Sequence, residues 1–96
     1  MERLVFEWDP AKAAGNLRKH GVSFEEALTV FRDSLARIHD DPDHSEAESR
    51  EIIVGHSADE RLLVVGFTER RNAIRIINAR SASVRERHDY EENDIA

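Results

Sequence analysis

The sequence predicts an α+β domain in which two N-terminal helices and a short C-terminal helix accompany an antiparallel sheet. Two capping boxes, Ser23 to Glu26 and Ser83 to Glu86, announce helices on either side of a strand-rich middle. Three apolar runs between them are separated only by Ser57-Ala58-Asp59-Glu60 and Arg70-Arg71-Asn72, short enough for hairpins. Ninety-six residues, 40% hydrophobic and 35% charged, suit a single domain spanning 1–96 with one modest core. Cysteine is absent, so disulfides, thiolate metal sites and cysteine nucleophiles are excluded together.

The first element is a strand, Leu4-Val5-Phe6-Glu7-Trp8, that runs into a helix at Asp9-Pro10, an N-cap followed by proline at the first helical position. Helix 1 is expected over about 10–20. Ala11, Ala14, Leu17 and Arg18 fall at helical spacing, Lys19 and His20 suit the negative end of the dipole, and Gly21 ends it. Helix 2 is expected over about 24–34, with Glu26 reaching back to Ser23 and with Ala27, Leu28, Phe31 and Leu35 on one face. Residues 39–48 have no apolar period and carry Pro42, which reads as a surface loop. Strands follow at about Arg50–His56, Arg61–Thr68 and Ala73–Ala79. The middle one is apolar on both parities from Leu62 to Phe67, so it is expected to be central, with Gly66 at a close-packed or bulged position. Alternation in the last strand places Ile74, Ile76, Asn78 and Arg80 on one face and Arg75 with Ile77 on the other. The final helix starts at the Ser83 box and ends near Tyr90 to Asn93.

No run is long enough for a membrane span and the first residues do not form a signal peptide, so the expected location is cytoplasmic, with no membrane partner. The formal charge of −6 argues against a general nucleic-acid coat, but its distribution is uneven. Residues 61–90 carry seven arginines and net +4, whereas residues 37–60 carry net −6. Arg70, Arg71, Arg80, Arg85 and Arg87 are expected to converge at one end or face, where guanidinium forks would hold a phosphodiester and stabilise the charge of in-line attack. Arg75 joins Arg71, Arg85 and Arg87 as a polyanion contact. The competing reading is an arginine face neutralised by the acidic middle. Arginine does not deprotonate, so the acid–base groups available are His20, Lys19, Tyr90, Glu69 and His88. His39-Asp40-Asp41-Pro42-Asp43-His44 holds ligand-type side chains, but in a proline-broken loop without preset geometry; no metal or other cofactor is expected.

The blocks Phe6-Glu7-Trp8-Asp9-Pro10-Ala11-Lys12 and Asn16-Leu17-Arg18-Lys19-His20-Gly21-Val22-Ser23-Phe24-Glu25-Glu26-Ala27 resemble the N-terminal half of BrnT toxins of bacterial type II toxin–antitoxin systems. The resemblance continues through Asp43-His44-Ser45, Arg61 to Val65, Phe67 to Arg70, Ile74 to Ile77, Ala79-Arg80, Arg85-Glu86-Arg87 and Tyr90-Glu91-Glu92. It implies a RelE-like fold, metal-independent messenger-RNA cleavage, and neutralisation by a BrnA-like ribbon-helix-helix antitoxin. Promoter DNA would be contacted only through that antitoxin. By position, Arg70 and Arg80 match basic residues associated with toxicity, and Lys19 and His20 match a basic pair of the first helix. The chain departs from the family pattern at Ser81, where a second cation beside Arg80 is expected, and at Arg71, where a turn glycine is common. The reading is therefore an endoribonuclease in which Arg70 and Arg80 stabilise the phosphorane formed by 2′-hydroxyl attack and His20, Lys19 or Tyr90 moves protons. The alternative is a weakly active or inactive homologue that serves as an antitoxin-binding co-repressor module.

Overall fold

The computed structural model describes residues 4–41 and 49–93. Strand β1 (Val5–Glu7) leads into helix α1 (Pro10–His20), then α2 (Phe24–Leu28), a 3-10 turn (Thr29–Arg32) and β2 (Arg37–Asp40). Strands β3 (Glu51–His56), β4 (Leu62–Arg70) and β5 (Ala73–Ser81) follow, and α3 (Val84–Asn93) closes the described chain. The strands form one sheet in the order β1-β5-β4-β3-β2. It is mixed rather than antiparallel as expected: β1 pairs parallel to β5 from Val5 opposite Ala73 to Glu7 opposite Arg75. β4 is the third of five strands, and Leu62 to Thr68 are buried, as a strand covered on both faces requires.

One face of the sheet carries the main core. Val22, Phe24, Ala27 and Val30 from the helical layer meet Ile53, Leu63, Val65, Phe67, Ile74, Ile76 and Ala79 from the strands. Edge-to-face ring pairs bind the layers: Phe31 contacts Phe6 and Phe67 at centroid distances of 5.2 and 5.0 Å, and Trp8 meets Phe24 at 5.8 Å. On the other face α3 builds a smaller cluster in which Tyr90 packs with Val54, Leu62 and Val64. Among the described residues no helix is long and apolar enough to cross a membrane.

Helix 2 is shorter than its periodicity suggests. The Thr29 hydroxyl donates to the Glu26 carbonyl (2.7 Å) and accepts from the Ala58 amide (2.8 Å), tightening the chain into the 3-10 turn. Asp33 then accepts from Leu35 N–H at 3.0 Å and turns the chain out, leaving Leu35 61% exposed rather than on a buried face. Strand β2 lies where only the start of a loop is expected, because Arg37-Ile38-His39-Asp40 has no alternation to reveal it; backbone pairing with β3 holds it at the sheet edge. The Ser83 capping box forms in full, with Ser83 N–H donating to Glu86 Oε1 (2.8 Å) and Glu86 N–H to Ser83 Oγ (3.1 Å). The Ser23 box forms by half: Ser23 Oγ accepts from Glu26 N–H, but the Glu26 carboxylate turns away to accept from Ser57 and from Arg61. The Arg61 guanidinium holds that carboxyl below its ordinary range, against the opposing effect of burial.

The last strand corrects the expected alternation. Asn78 pairs with Gly66 and Ile76 with Phe67, so Ile77 is an extra residue that bulges β5. Ala79, not Asn78 or Arg80, therefore joins Ile74 and Ile76 on the main-core face.

At Gly55 an added Cβ would lie 2.8 Å from Ala36 Cβ, 3.0 Å from Asp33 Oδ2 and 3.1 Å from Val30 Cγ1. The nearest of these atoms moves only with its main chain, so Gly55→Ala should cost about 1–3 kcal/mol by overpacking. Urea unfolding checks this as a lowered midpoint at unchanged slope.

Candidate functional site

β1 covers β5 only as far as Arg75, and the backbone of β5 beyond it faces α1. Asn16, 8% exposed, supplies there what a neighbouring strand would. Its Oδ1 accepts from Ala79 N–H (3.1 Å) and its Nδ2 donates to the Ala79 carbonyl (2.8 Å) and to the Val22 carbonyl (2.9 Å). One carboxamide thus fastens α1 to β5 and also fixes the chain that leaves α1. The Asp9 side chain caps the helix start through Ala11 N–H, and Gly21 ends it in the left-handed conformation at φ 70°.

Beside Asn16 lies a hollow of about 430 Å³ lined by Lys12, Lys19 and His20 from α1 and by Asn78 and Arg80 from β5. Arg18, Lys19 and His20 occupy the last turn of α1, where the helix dipole favours positive charge. Arg80 reaches the hollow while its fork embraces Glu86 of α3, with Nη1 to Oε1 at 2.7 Å and Nη2 to Oε2 at 2.9 Å. That bidentate contact, resisted by burial and reinforced by the Ser83 donors, lowers the Glu86 pKa to about 2 and raises that of Arg80.

The bulge at Ile77 governs where the arginines point. Arg80 pairs with Val64 and Arg75 with Thr68, and Arg70 follows Thr68 on the same parity of β4. Arg70, Arg75 and Arg80 therefore share the face of the sheet opposite the main core, although regular alternation places Arg75 and Arg80 on opposite faces. They form a row rather than a cluster. Seven residues separate Ala73, opposite Arg70, from Arg80, which at strand rise is roughly 20 Å. A single phosphate cannot bridge that distance, so of the five arginines expected to converge, Arg70 and Arg80 share a face but stand at its two ends.

The remaining candidates are placed as follows. Arg70 and Arg71 line a second hollow of about 520 Å³ with Val5, Glu7, Asn72 and Ala73. Arg71 stands in the β4–β5 turn at φ 56°, the conformation for which glycine is common. Arg75 contacts Glu7 at 3.3 Å. Arg85 and Arg87 are exposed on α3, and Arg87 lies 3.8 Å from Glu91. Tyr90 is not brought to His20 and Arg80: it is 4% exposed within the smaller core, its hydroxyl donates to the Leu35 carbonyl at 3.2 Å, and its ring meets that of His56. Below it, burial pushes the Asp33 carboxyl up, but the His56 and Leu35 amides, the His56 ring and the Tyr90 hydroxyl together bring it below its ordinary value. Among the described residues, Arg61, Arg75, Arg80 and Arg87 pair with Glu26, Glu7, Glu86 and Glu91, none of which belongs to the acidic middle; Arg37 and Arg70 are engaged as well. Of the ligand-type loop, Pro42, Asp43 and His44 lie outside the described residues; no metal-binding group is present among the described ones.

Three polar lining residues, Lys12, Asn16 and Asn78, escape the sequence reading. Lys12, Asn16 and Lys19 recur at helical spacing, which is a legible signal, but the Ala11-Ala14-Leu17 stripe drew the helix face the other way. That stripe is exposed, with Leu17 at 51%. Asn78 is set by the bulge, and its side chain lies over Gly66, where an added Cβ would come within 2.8 Å of Asn78 Oδ1 and displace it.

The family model described as the ribonuclease toxin, BrnT, of type II toxin-antitoxin system matches residues 8–86. The crystal structure of the Brucella abortus ribonuclease toxin, BrnT, is similar in fold, with a TM-score of 0.63 and 24% sequence identity over 85% of this chain and 99% of that one. At that identity the likeness concerns the fold alone. No curated protein sequence matches the chain.

Asn16→Ala leaves the Ala79 amide and the Ala79 and Val22 carbonyls without their partner, which should cost about 2–4 kcal/mol and lower Tm by roughly 10 °C or more. Calorimetry against the wild type measures it. A second outcome concerns acid. The Glu86 pKa is depressed from 4.5 to about 2, so its contribution to stability is complete above the higher value and lost as pH falls through the lower. Both side chains are about two-fifths exposed, which discounts that contribution to about 1 kcal/mol. Glu86→Gln should therefore be less stable than wild type at pH 7, with the difference shrinking toward pH 2 in denaturant titrations.

Proposed function

Because the chain belongs to the BrnT family of ribonuclease toxins of type II toxin–antitoxin systems, we propose that it cleaves RNA by metal-independent attack of a ribose 2′-hydroxyl on the adjacent phosphate. The supporting observation is the hollow at the α1–β5 junction, which Lys12, Lys19 and His20 of α1 and Arg80 of β5 line beside the Asn16 clamp. On this reading His20 accepts the 2′-hydroxyl proton and Lys19 assists or protonates the leaving oxygen, while Arg80 turns its fork from Glu86 to the crowded anionic phosphorane. The product is a 2′,3′-cyclic phosphate and a 5′-hydroxyl end. Tyr90 is left out of the proton path because the smaller core holds it. Arg70 and Arg75, in line with Arg80 on the same face, guide the flanking RNA strand, with Arg71, Arg85 and Arg87 adding charge around it.

The same reading takes residues 1–96 as one RelE-like toxin domain acting in the cytoplasm and neutralised by a BrnA-like ribbon-helix-helix antitoxin, through which alone it meets promoter DNA. A second reading, an antitoxin-binding co-repressor module with little cleavage, is favoured by one observation: Glu86 occupies the Arg80 fork.

The antitoxin-free protein should cut single-stranded RNA in EDTA and leave single-stranded DNA intact, since DNA lacks the nucleophile. In single-turnover assays Arg80→Ala should slow cleavage by about 10² to 10³, and His20→Ala or Lys19→Ala by about 10² or more. Arg70→Ala and Arg75→Ala should weaken RNA binding and leave the chemical step near the wild-type rate. Cleavage that requires a divalent metal ion defeats the mechanism; no cleavage under either condition supports the co-repressor module.

A further inference from the structure

One end of the sheet carries a shallow hollow on its main-core face. The buried residues of the helical layer reach as far as Val30, and Phe31 is the last ring over that face. The hollow, about 350 Å³, lies beyond Phe31 and is floored by Ile53, Phe67 and Ile74. Its apolar walls stand at opposite edges of the sheet: Leu4, before β1, is 58% exposed, and Ile38, on β2, is 55% exposed. The floor itself is buried, with Ile53, Phe67 and Ile74 at 3%, 2% and 8% exposed, so the apolar surface that reaches solvent is that of the two walls, and exposed large aliphatic residues flanking one hollow mark a contact surface.

The rim of this hollow is acidic. Glu51 pairs with Phe67 and Glu69 with Ile74, so register places both glutamates on the main-core face of the sheet, and Asp33 stands beside Phe31. No ion pair among the described residues involves Glu51 or Glu69. Arg70, next in sequence to Glu69, alternates to the opposite face. Asp33 is already engaged by the Leu35 and His56 amides, but the carboxylates of Glu51 and Glu69 beside an apolar floor repel a phosphate backbone, which disfavours RNA as the occupant and favours a peptide whose apolar side chains are flanked by lysine or arginine.

We propose that this end of the sheet is the docking site of the antitoxin, entered by an amphipathic segment that seats apolar side chains between Leu4 and Ile38 and presents basic ones to Glu51 and Glu69. The proposal rests on the toxin–antitoxin reading above. It sets the antitoxin contact at the end of the sheet away from Arg80 and on the face opposite the arginine row, so this contact holds the antitoxin without itself filling the RNA hollow.

The test co-expresses the tagged chain with the untagged product of the adjoining reading frame from the native operon, and measures complex recovery and affinity. Glu51→Lys with Glu69→Lys should weaken the complex at least about tenfold, since both contacts turn from attraction to repulsion. Ile38→Asp should do the same by placing a charge on the apolar wall. Both variants should keep the wild-type Tm and the wild-type rate of RNA cleavage, and should resist inhibition by the neighbour's product. A photo-cross-linker at position 38 should capture a peptide of that product with apolar residues between basic ones. Wild-type affinity in both variants overturns the site and leaves the toxin–antitoxin reading intact. A cross-link to RNA or to a second copy of this chain also overturns it. Recovery of no neighbour by the wild-type chain overturns the antitoxin reading, and the site with it.

Discussion

The contact between Asn16 and Ala79 is the constraint on which the basic hollow depends. α1 has little apolar surface with which to hold itself: Leu17 is its one large aliphatic residue, and that points to solvent. Hydrophobic burial alone would leave the helix free to rotate or slide, because a small non-directional contact fixes neither. A carboxamide that both donates to and accepts from a single residue of β5 admits only one registry. Lys12, Lys19 and His20 inherit their positions from that registry. The extra donation to Val22 also ties down the Gly21 turn and, through it, the entry to α2. A polar group in this place stabilises modestly in net terms and is costly to lose, which is the profile of a residue that specifies geometry.

The second constraint is the extra residue in β5. Without Ile77 bulged out, Arg80 would turn toward the helical layer and Ala79 away from it, and Asn16 would meet a different residue. The bulge and the clamp are thus one design: the first brings Ala79 to the core face and Arg80 to the arginine face, and the second locks α1 against the result. Bulges beside functional sites commonly re-aim a side chain in this way.

These two features also mark the limit of what could be read from the sequence. The helix starts, the two-sided apolarity of β4 and the hairpin connections were legible, because capping residues and hydrophobic period report local and half-buried structure directly. The parallel pairing of β1 was not, since Val5-Phe6-Glu7 carries no sign of its partner. β2 was not, since an exposed edge strand has no period. The bulge was signalled only by Gly66, and a glycine in a strand does not say which strand gains the residue. For the site, charge was legible and geometry was not: the seven arginines of residues 61–90 stood out, but alternation sorted Arg75 and Arg80 to the wrong relation, and Tyr90 had no mark of burial. Asn16 stood in plain view at helical spacing from Lys12 and Lys19. A polar residue on a helix reads as solvent-facing until a backbone edge is known to need it.

Magnitudes decide how much weight the Glu86 contact carries against catalysis. Discounted for its exposure, the pair with Arg80 is worth about 1 kcal/mol, roughly a fivefold penalty on any ligand that must displace it. Glu86 would not be stranded by the exchange, because its Oε1 also accepts from the Ser83 amide at the start of α3. A preorganised donor to a developing oxyanion is worth about 2.7–4 kcal/mol, and a phosphorane carries more charge than a carboxylate to attract the same fork. On the proposed cleavage the exchange would therefore favour the transition state over the resting pair, while a substrate phosphate with less charge would gain less from it. An arginine parked on a carboxylate in this way weakens ground-state binding a little and retains most of its effect on rate, which is the direction in which binding energy serves catalysis.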